Sequence, residues 1–546
     1  HIGSSHLGSG SVRRSPFQPA LARFLARAKA MLSTLRVTQA ALRRHARTAT
    51  AAAASNLPAT TFAPVKFAKE DVEVVMSELP DFNYYEIKES VPNPYKGSTL
   101  DRSVLLDPPA PAPLAAPKAE FSQLENGLKV ASVDKGGLTA RVGLFVSAGS
   151  RFETSANFGV SNMVSMMSFA STAHLSQLRT VKSLEQLGCN STAMCKAGRE
   201  ETVYKVDVAR KFVPLVVPLL VGNVLFPRLL PWEVKATAKK VKDMRKAFEA
   251  DADAMVSDLL HKAAFCNNTL GLSPHASERC LSYFTPETIR GFLLDHFAPE
   301  RMVLVGVNVA HSDLAKWAMR SFADYNAIPM KKREETKATY TGGDLRMEGS
   351  SPFCHVALAL QSSPWGQADM AALALLQTIL GGGSAALTAP GAGMTTRLAT
   401  QVVKQSPYVE SCAAFNTSYS DAGLFGVYGV SQPDKAGDMC MSIAKTLKGL
   451  TDVSGDELTR AKAMLKGNLF RQMDDDSALM QDMGTQLLLS GRYGSPTDFA
   501  KAIDAASASD VSAAAKKLLS GRPTVASFGD THSVPHYGAI EAALRA

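Results

Sequence analysis

The strongest constraint on this chain is that its body is written twice. Strand-like RVGLFVSAGS (141–150) followed by a helical stretch at 158–169 returns as HVALALQSS (355–363) followed by a helix at 367–380. ETVYKVDVA (201–209) returns as AGLFGVYGVS (422–431), and each leads into a helix. A helix over Pro231–Ala264, opening PWEVKATAKKVKDM, is matched by SGDELTRAKAMLKGNLF from Ser454. TPETIRGFLLDHFAPERMVLVGV (285–307) pairs with SASDVSAAAKKLLSGRPTVASFG (507–529), each a helix running into a closing strand. In the first of these, Thr285 is placed to cap the helix and Pro286 to occupy its first turn. The copies lie about 210–225 residues apart, so the chain holds two versions of one supersecondary unit. Strands of alternating pattern mixed with helices and a hairpin turn at Asn126-Gly127 predict an α+β fold. Each unit should be a mixed, mainly antiparallel sheet covered by helices.

Outside the repeats the chain changes character. The first acidic residue is Glu70, and nine of the 59 basic residues precede position 48, leaving 50 basic against 50 acidic residues in the remainder. The body is therefore neutral, and the net charge of +9 gives no support for nucleic-acid binding. An acid-free, Arg-, Ser- and Ala-rich leader has the composition of a mitochondrial transit peptide. We assign it to residues 1–50, starting in earnest at Met31, with residues 1–30 as an upstream or appended segment and cleavage between Arg47 and Ser55. Residues 51–118, with VPNPYKGS and LDPPAPAPLAAPK, read as a Pro-rich arm. The repeats then occupy 119–330 and 331–546, joined through the polar stretch MKKREETKATYT (330–341).

Most chemistry-bearing patterns are missing. The seven cysteines are scattered and form no C-x-x-C, so neither a disulfide framework nor a zinc ribbon is expected. His532 and His536 are four apart, but Pro535 lies between them in a terminal loop, and the other histidines of the body stand alone. There is no G-x-S-x-G, and the glycines at 381–383 are not followed by the Gly-Lys-Ser/Thr that cradles phosphate. The apolar run Phe212–Pro231 is broken by prolines at 214, 218 and 227 and reads as a buried helix of the body, not a membrane span.

The N-G-L entry, the strand ending GSR and the following F-G-V-S resemble the pitrilysin-type metallopeptidases, over residues 119–540. The resemblance is greatest to the mitochondrial members of that family, the processing peptidases and the core proteins of respiratory complex III. In catalytic members the next helix carries H-x-x-E-H, two histidines for zinc and a glutamate to activate water. The matching positions here are Asn162, Met163, Val164, Ser165 and Met166, so neither zinc-binding histidine nor the glutamate is present at Asn162, Ser165 and Met166. The third ligand would fall near 243–249, where Asp243 and Glu249 cannot hold zinc by themselves. The resemblance thus implies a non-catalytic member with no metal and no cofactor.

AFNTSYSDAGLFGVYGVSQ (414–432) and AAKKLLSGRPTVASFGD are similar to the core-protein branch, which implies a structural subunit on the matrix side of the mitochondrial inner membrane. Its partners would be a homologous first core protein or beta-type subunit, cytochrome b and other subunits of complex III. LGGGSAALTAPGAGMTTRL (380–398) is similar to the glycine-rich loop with which processing-peptidase alpha subunits hold presequence peptides. Gly381, Gly382, Gly383, Gly391 and Gly393 are the substrate-binding candidates, against the alternative of a plain turn between elements. The run Asp474, Asp475, Asp476 is either an attractor of basic peptides or a solvated helix edge.

Overall fold

The computed structural model describes residues 63–64, 118–189, 192–323, 336–384 and 394–545. The leader, most of the arm and the first half of the linker expected at 330–341 lie outside the described residues. Two mixed sheets organise the rest. The first runs β1 (Ala63–Pro64), β2 (Ala119–Gln123), β3 (Lys129–Val133), β7 (Met302–Val307), β4 (Thr139–Val146), β6 (Thr202–Ala209), β5 (Met194–Ala197) in spatial order. The second runs β10 (Gly382–Ser384), β11 (Val409–Ser418), β12 (Gly423–Ser431), β9 (Cys354–Ser362), β13 (Thr524–Gly529), β8 (Gly343–Glu348).

Five strands of each order correspond when one is reversed, β1, β2 and β10 being additional. In each sheet an early strand lies parallel to the last one (β3 to β7, β8 to β13). The closing strand is then antiparallel to β4 or β9, and these to β6 or β12. The pairs read from the sequence as repeats thus occupy equivalent places. The duplication also includes β5 and β11, a pair outside the repeats legible in the sequence. The turn at Asn126-Gly127 joins β2 to β3, with Gly127 at φ 87° and Leu128 N donating to Asn126 Oδ1 at 3.1 Å.

The helices follow their caps. We number them α1 (Val160–Met166), α2 (Gln177–Gln186), α3 (Val213–Leu225), α4 (Pro231–Glu249), α5 (Ala252–Ala264), α6 (Pro286–His296) and α7 (His311–Phe322) in the first half. The second half contributes α8 (Met370–Leu380), α9 (Ala436–Lys448), α10 (Gly455–Met473), α11 (Asp476–Ser490), α12 (Pro496–Ala505), α13 (Ala508–Leu519) and α14 (Tyr537–Arg545). Thr285 caps α6 by accepting from Thr288 N, with Pro286 in the first turn, as expected. The single helix expected over Pro231–Ala264 is corrected to two. Asp251 leaves helical geometry at φ −93°, ψ 99° and caps α5 through Ala254 N, a role that a short carboxylate fills well. The apolar run after Phe212 folds as α3, 13 residues long and buried along most of its length. No helix among the described residues is long and apolar enough to cross a membrane.

Each sheet is buried on both faces, but by different halves. In the first sheet Val130, Val142, Leu144, Val146, Leu304 and Val206 face the core built with α3 and α7. Their neighbours Ala131, Val133, Phe145, Val303 and Val305 point the other way, into a core shared with Met480, Met483 and Leu487 of α11. The second sheet reciprocates. Val356, Leu358, Leu360, Phe425 and Val427 pack on α8 and α9, whereas Ala357, Ala359, Leu424, Ala526 and Phe528 meet Met255, Val256, Leu259 and Leu260 of α5. Thus α5 of the first half covers the second sheet, and α11 of the second half covers the first.

Close approach at one of these crossings depends on glycine. A Cβ on Gly484 of α11 would lie 2.3–2.4 Å from three ring atoms of Phe145, and one on Gly143 of β4 would lie 2.9 Å from Met480 Sδ. Phe145 is fully buried, so its ring has nowhere to retreat. Gly484→Val should therefore destabilise the chain by at least about 1–3 kcal/mol, the usual cost of overpacking a filled core. Urea unfolding checks this; an unchanged midpoint would mean that α11 can lift off β4 freely.

Candidate functional site

The residues at the zinc-motif positions lie on α1, a seven-residue helix opened by Gly159 in the left-handed region (φ 83°). Met163, Val164 and Ser165 are buried, and Asn162 and Met166 are half-buried. Ser165 Oγ turns back on its own helix and donates to the Asn162 carbonyl at 2.8 Å. The start of α1 is held by a carboxylate from the preceding segment. Glu153 accepts from Gly159 N (2.7 Å) and, through its second oxygen, from Ser161 N (2.9 Å) and Ser161 Oγ (2.5 Å).

The neighbouring helix α4 turns Val234, Thr237 and Val241 inward, while Asp243 and Glu249 are exposed, Glu249 accepting from Arg245 Nε at 2.7 Å. A zinc ion needs imidazole, thiolate or carboxylate donors converging at about 2.0–2.3 Å. Here the candidate set is a carboxamide, an already committed hydroxyl and a thioether. Among the described residues no three His, Cys, Asp or Glu are grouped so as to hold a metal ion. The residues at this position do not fit zinc. His532 and His536 lie exposed in the loop before α14.

The glycine-rich segment divides into a part dictated by packing and a part outside the described residues. Gly381 ends α8 at φ 55°, and a Cβ there would lie 2.3 Å from Thr396 Cγ2. Gly382 has φ 155°, and its Cβ would lie 2.3 Å from the Cys412 carbonyl oxygen. Gly382 and Gly383 then pair with Ala413 and Cys412 as the edge strand β10. Gly381 and Gly382 are required by the turn and the sheet edge. Gly391 and Gly393 lie outside the described residues. Beyond them the chain is clamped by Arg397, an anchor that no local sequence pattern marks. Its guanidinium donates to both Glu457 oxygens (3.2 and 2.7 Å), to the Gly449 carbonyl (2.6 Å) and to the Asp452 carbonyl (2.6 Å).

The aspartate run is also committed. Asp475 caps α11 through Ser477 N (3.0 Å) and pairs with Arg141 (2.7 Å). Asp476 binds Lys135 Nζ (3.1 Å) and Asn308 Nδ2 (2.9 Å). Two of its three carboxylates therefore join the halves, while Asp474 and Asp475 remain exposed at the helix edge.

The capping of α1 makes a pH prediction. Burial raises the Glu153 carboxyl to about 7, although its three hydrogen bonds pull the other way. Because this folded value exceeds the unfolded one of 4.5, the group's stabilising contribution is full below about 4.5 and is lost as pH rises through 7. Unfolding free energy measured against pH should carry this falling component between 4.5 and 7, and Glu153→Gln should remove it. An unaltered pH profile in the variant would refute the assignment.

Comparison with known proteins agrees with this arrangement. The family model described as "Insulinase (Peptidase family M16)" matches residues 129–276, and "Peptidase M16 inactive domain" matches 283–465. The chain is 33% identical over 448 residues to the mitochondrial-processing peptidase subunit alpha of Solanum tuberosum, covering 81% of this chain and 88% of that one. It is 30% identical over 430 residues to cytochrome b-c1 complex subunit 2 of Mus musculus, covering 78% and 93%. Among solved structures, a chain of "Complex III2 from Candida albicans, Inz-5 bound" shares the fold with a TM-score of 0.67 at 21% identity, covering 78% of this chain and 99% of that one. With two sheets related by duplication and no zinc donors on the helix that would carry them, the chain belongs to peptidase family M16.

Proposed function

We propose that this chain is a non-catalytic structural subunit of mitochondrial respiratory complex III, the counterpart of its second core protein. The observation that carries the reading is the state of α1: a helix stapled at its N-terminus by Glu153, largely buried, and without a side chain able to bind zinc. What persists is a body whose halves are packed into each other, suited to bearing other subunits. Relatives named as cytochrome b-c1 complex subunit 2 align over 93% of their length, which supports the same reading. The acid-free leader supports a mitochondrial address. In this reading the chain is peripheral and faces the matrix. It pairs with a homologous first core protein and contacts cytochrome b, while the 51–118 arm lies along a neighbouring subunit. The boundary between the two repeats falls at 330/331.

A second reading is favoured by the glycine-rich segment, anchored at Gly381 and Gly382 on one side and Arg397 on the other. In it the chain is the substrate-recognising alpha subunit of a processing peptidase, holding presequences for a beta-type partner that supplies the zinc. Relatives named mitochondrial-processing peptidase subunit alpha support it. The two readings combine if one complex does both.

A mild-detergent native gel of mitochondrial membranes, probed for this protein and for cytochrome b, separates them. We expect co-migration with cytochrome b; a soluble heterodimer that cleaves presequences would overturn the core-subunit reading. Replacing residues 385–393 by an Ala/Ser stretch of equal length leaves Gly381 and Gly382 in place. It should abolish presequence cleavage under the second reading and leave complex III assembly intact under the first.

A further inference from the structure

The outward face of α4 is basic along its whole length. Val234, Thr237 and Val241 are buried on one side. At a helical repeat of 3.6 residues, Trp232, Lys235, Lys239, Lys242 and Lys246 share the opposite side. Lys235, Lys239 and Lys246 are exposed, as is Lys240 at the margin of the stripe. Lys242 is paired with Glu278 on the surface, and the exposed acids of this helix are Asp243 and, in its last turn, Glu249. Glu233 is turned away, accepting from Ser171 Oγ at 2.5 Å, and Glu249 accepts from Arg245.

One end of the stripe is apolar. Trp232 is 67% exposed and Leu178, the second residue of α2, is 79% exposed. The two helix starts are joined, because Ser171 Oγ also accepts from Gln177 N at 3.1 Å. An exposed indole and an exposed leucine therefore stand at the same end of a row of lysines. Lys182 extends the positive charge on α2.

We propose that this face, α4 with the start of α2, docks on an anionic lipid surface. Lysines on flexible stems act as point charges and suit mobile headgroup phosphates, whereas arginine forks suit the fixed carboxylates of a protein partner. Tryptophan and leucine at one end suit shallow insertion at the headgroup boundary. Although α4 neighbours α1, none of the lysines of this face is used by the zinc-motif positions or by the glycine-rich segment, so the inference holds under either reading above.

The test is flotation of the full chain with phosphatidylcholine vesicles, with and without phosphatidylglycerol, comparing wild type with K235E/K239E, K235Q/K239Q and W232A. The basic leader is common to all variants, so differences between them report the face alone. The wild type should bind the anionic vesicles in a salt-sensitive manner, and K235E/K239E should lower the partition coefficient about tenfold or more. The glutamine pair, which adds no repulsion, should give a smaller loss. Trp317 and Trp365 are half-buried, so a blue shift of emission on binding should come from Trp232 and vanish in W232A. Equal melting temperatures check that the variants are folded. Equal binding by wild type and both lysine variants, or absence of the blue shift, overturns the proposal. So does binding to soluble polyglutamate without binding to anionic vesicles, which would make the face a protein-docking site.

Discussion

The structure depends on a reciprocal exchange: α11 lies on the first sheet and α5 on the second. Without it each sheet would leave one apolar face open to water, Ala131, Val133, Phe145 and Val305 in the first and Ala357, Leu424 and Phe528 in the second. Burial of that surface is the main favourable term available to hold two halves together. The exchange also fixes their orientation, because helices seated on sheets by interlocking side chains cannot slide without opening voids.

Polar groups seal the rims of the exchange. Arg151, at the end of the GSR turn, is 6% exposed in its side chain and meets Glu200 of its own half and Asp421 of the other. Asp421 also accepts from Ala338 N at 2.7 Å, and Ser420 N donates to Glu200 at 3.0 Å, so the guanidinium gathers the strand turn, the end of the linker and the β11–β12 loop. Burial raises the Glu200 carboxyl on balance, against the opposing pull of the Ser420 hydrogen bonds and the Arg151 charge. On the far side His261 Nδ1 lies 2.6 Å from the Ser257 carbonyl and must donate to it. Its Nε2 therefore accepts from Tyr419 OH at 2.8 Å across the halves. A second buried cluster joins His355 to Tyr428 at 2.6 Å, with Tyr428 donating to Asp253 of α5.

Much of this was legible in the sequence because repetition is a pattern that composition cannot imitate. The matched strands, the Asn126-Gly127 hairpin and the Thr285 cap are local signals, and each falls where its residues place it. The absence of zinc donors at Asn162, Ser165 and Met166 could be read once the surrounding motifs located them. The exchange itself could not be read. Nothing in Gly143 or Gly484 announces a partner more than three hundred residues away. Asp475 and Asp476 look like a solvated run until Arg141 and Lys135 arrive from the other half. Long-range pairing of charges carries no period, so only the fold reveals it.

The same reasoning explains why α1 keeps its place without metal ligands. Its place is set from outside: by Glu153 at its start, by Gly159, whose Cβ would lie 2.5 Å from that of Ala276, and by the buried Val160, Met163 and Val164. None of these contacts passes through Asn162 or Met166, which sit half-buried at the margin. Ser165 satisfies its hydroxyl within the helix. A catalytic glutamate and paired histidines would instead place polar groups at this boundary that require a metal to balance them. A carboxamide, a self-satisfied hydroxyl and a thioether carry no such requirement, so α1 packs as an ordinary element of the scaffold.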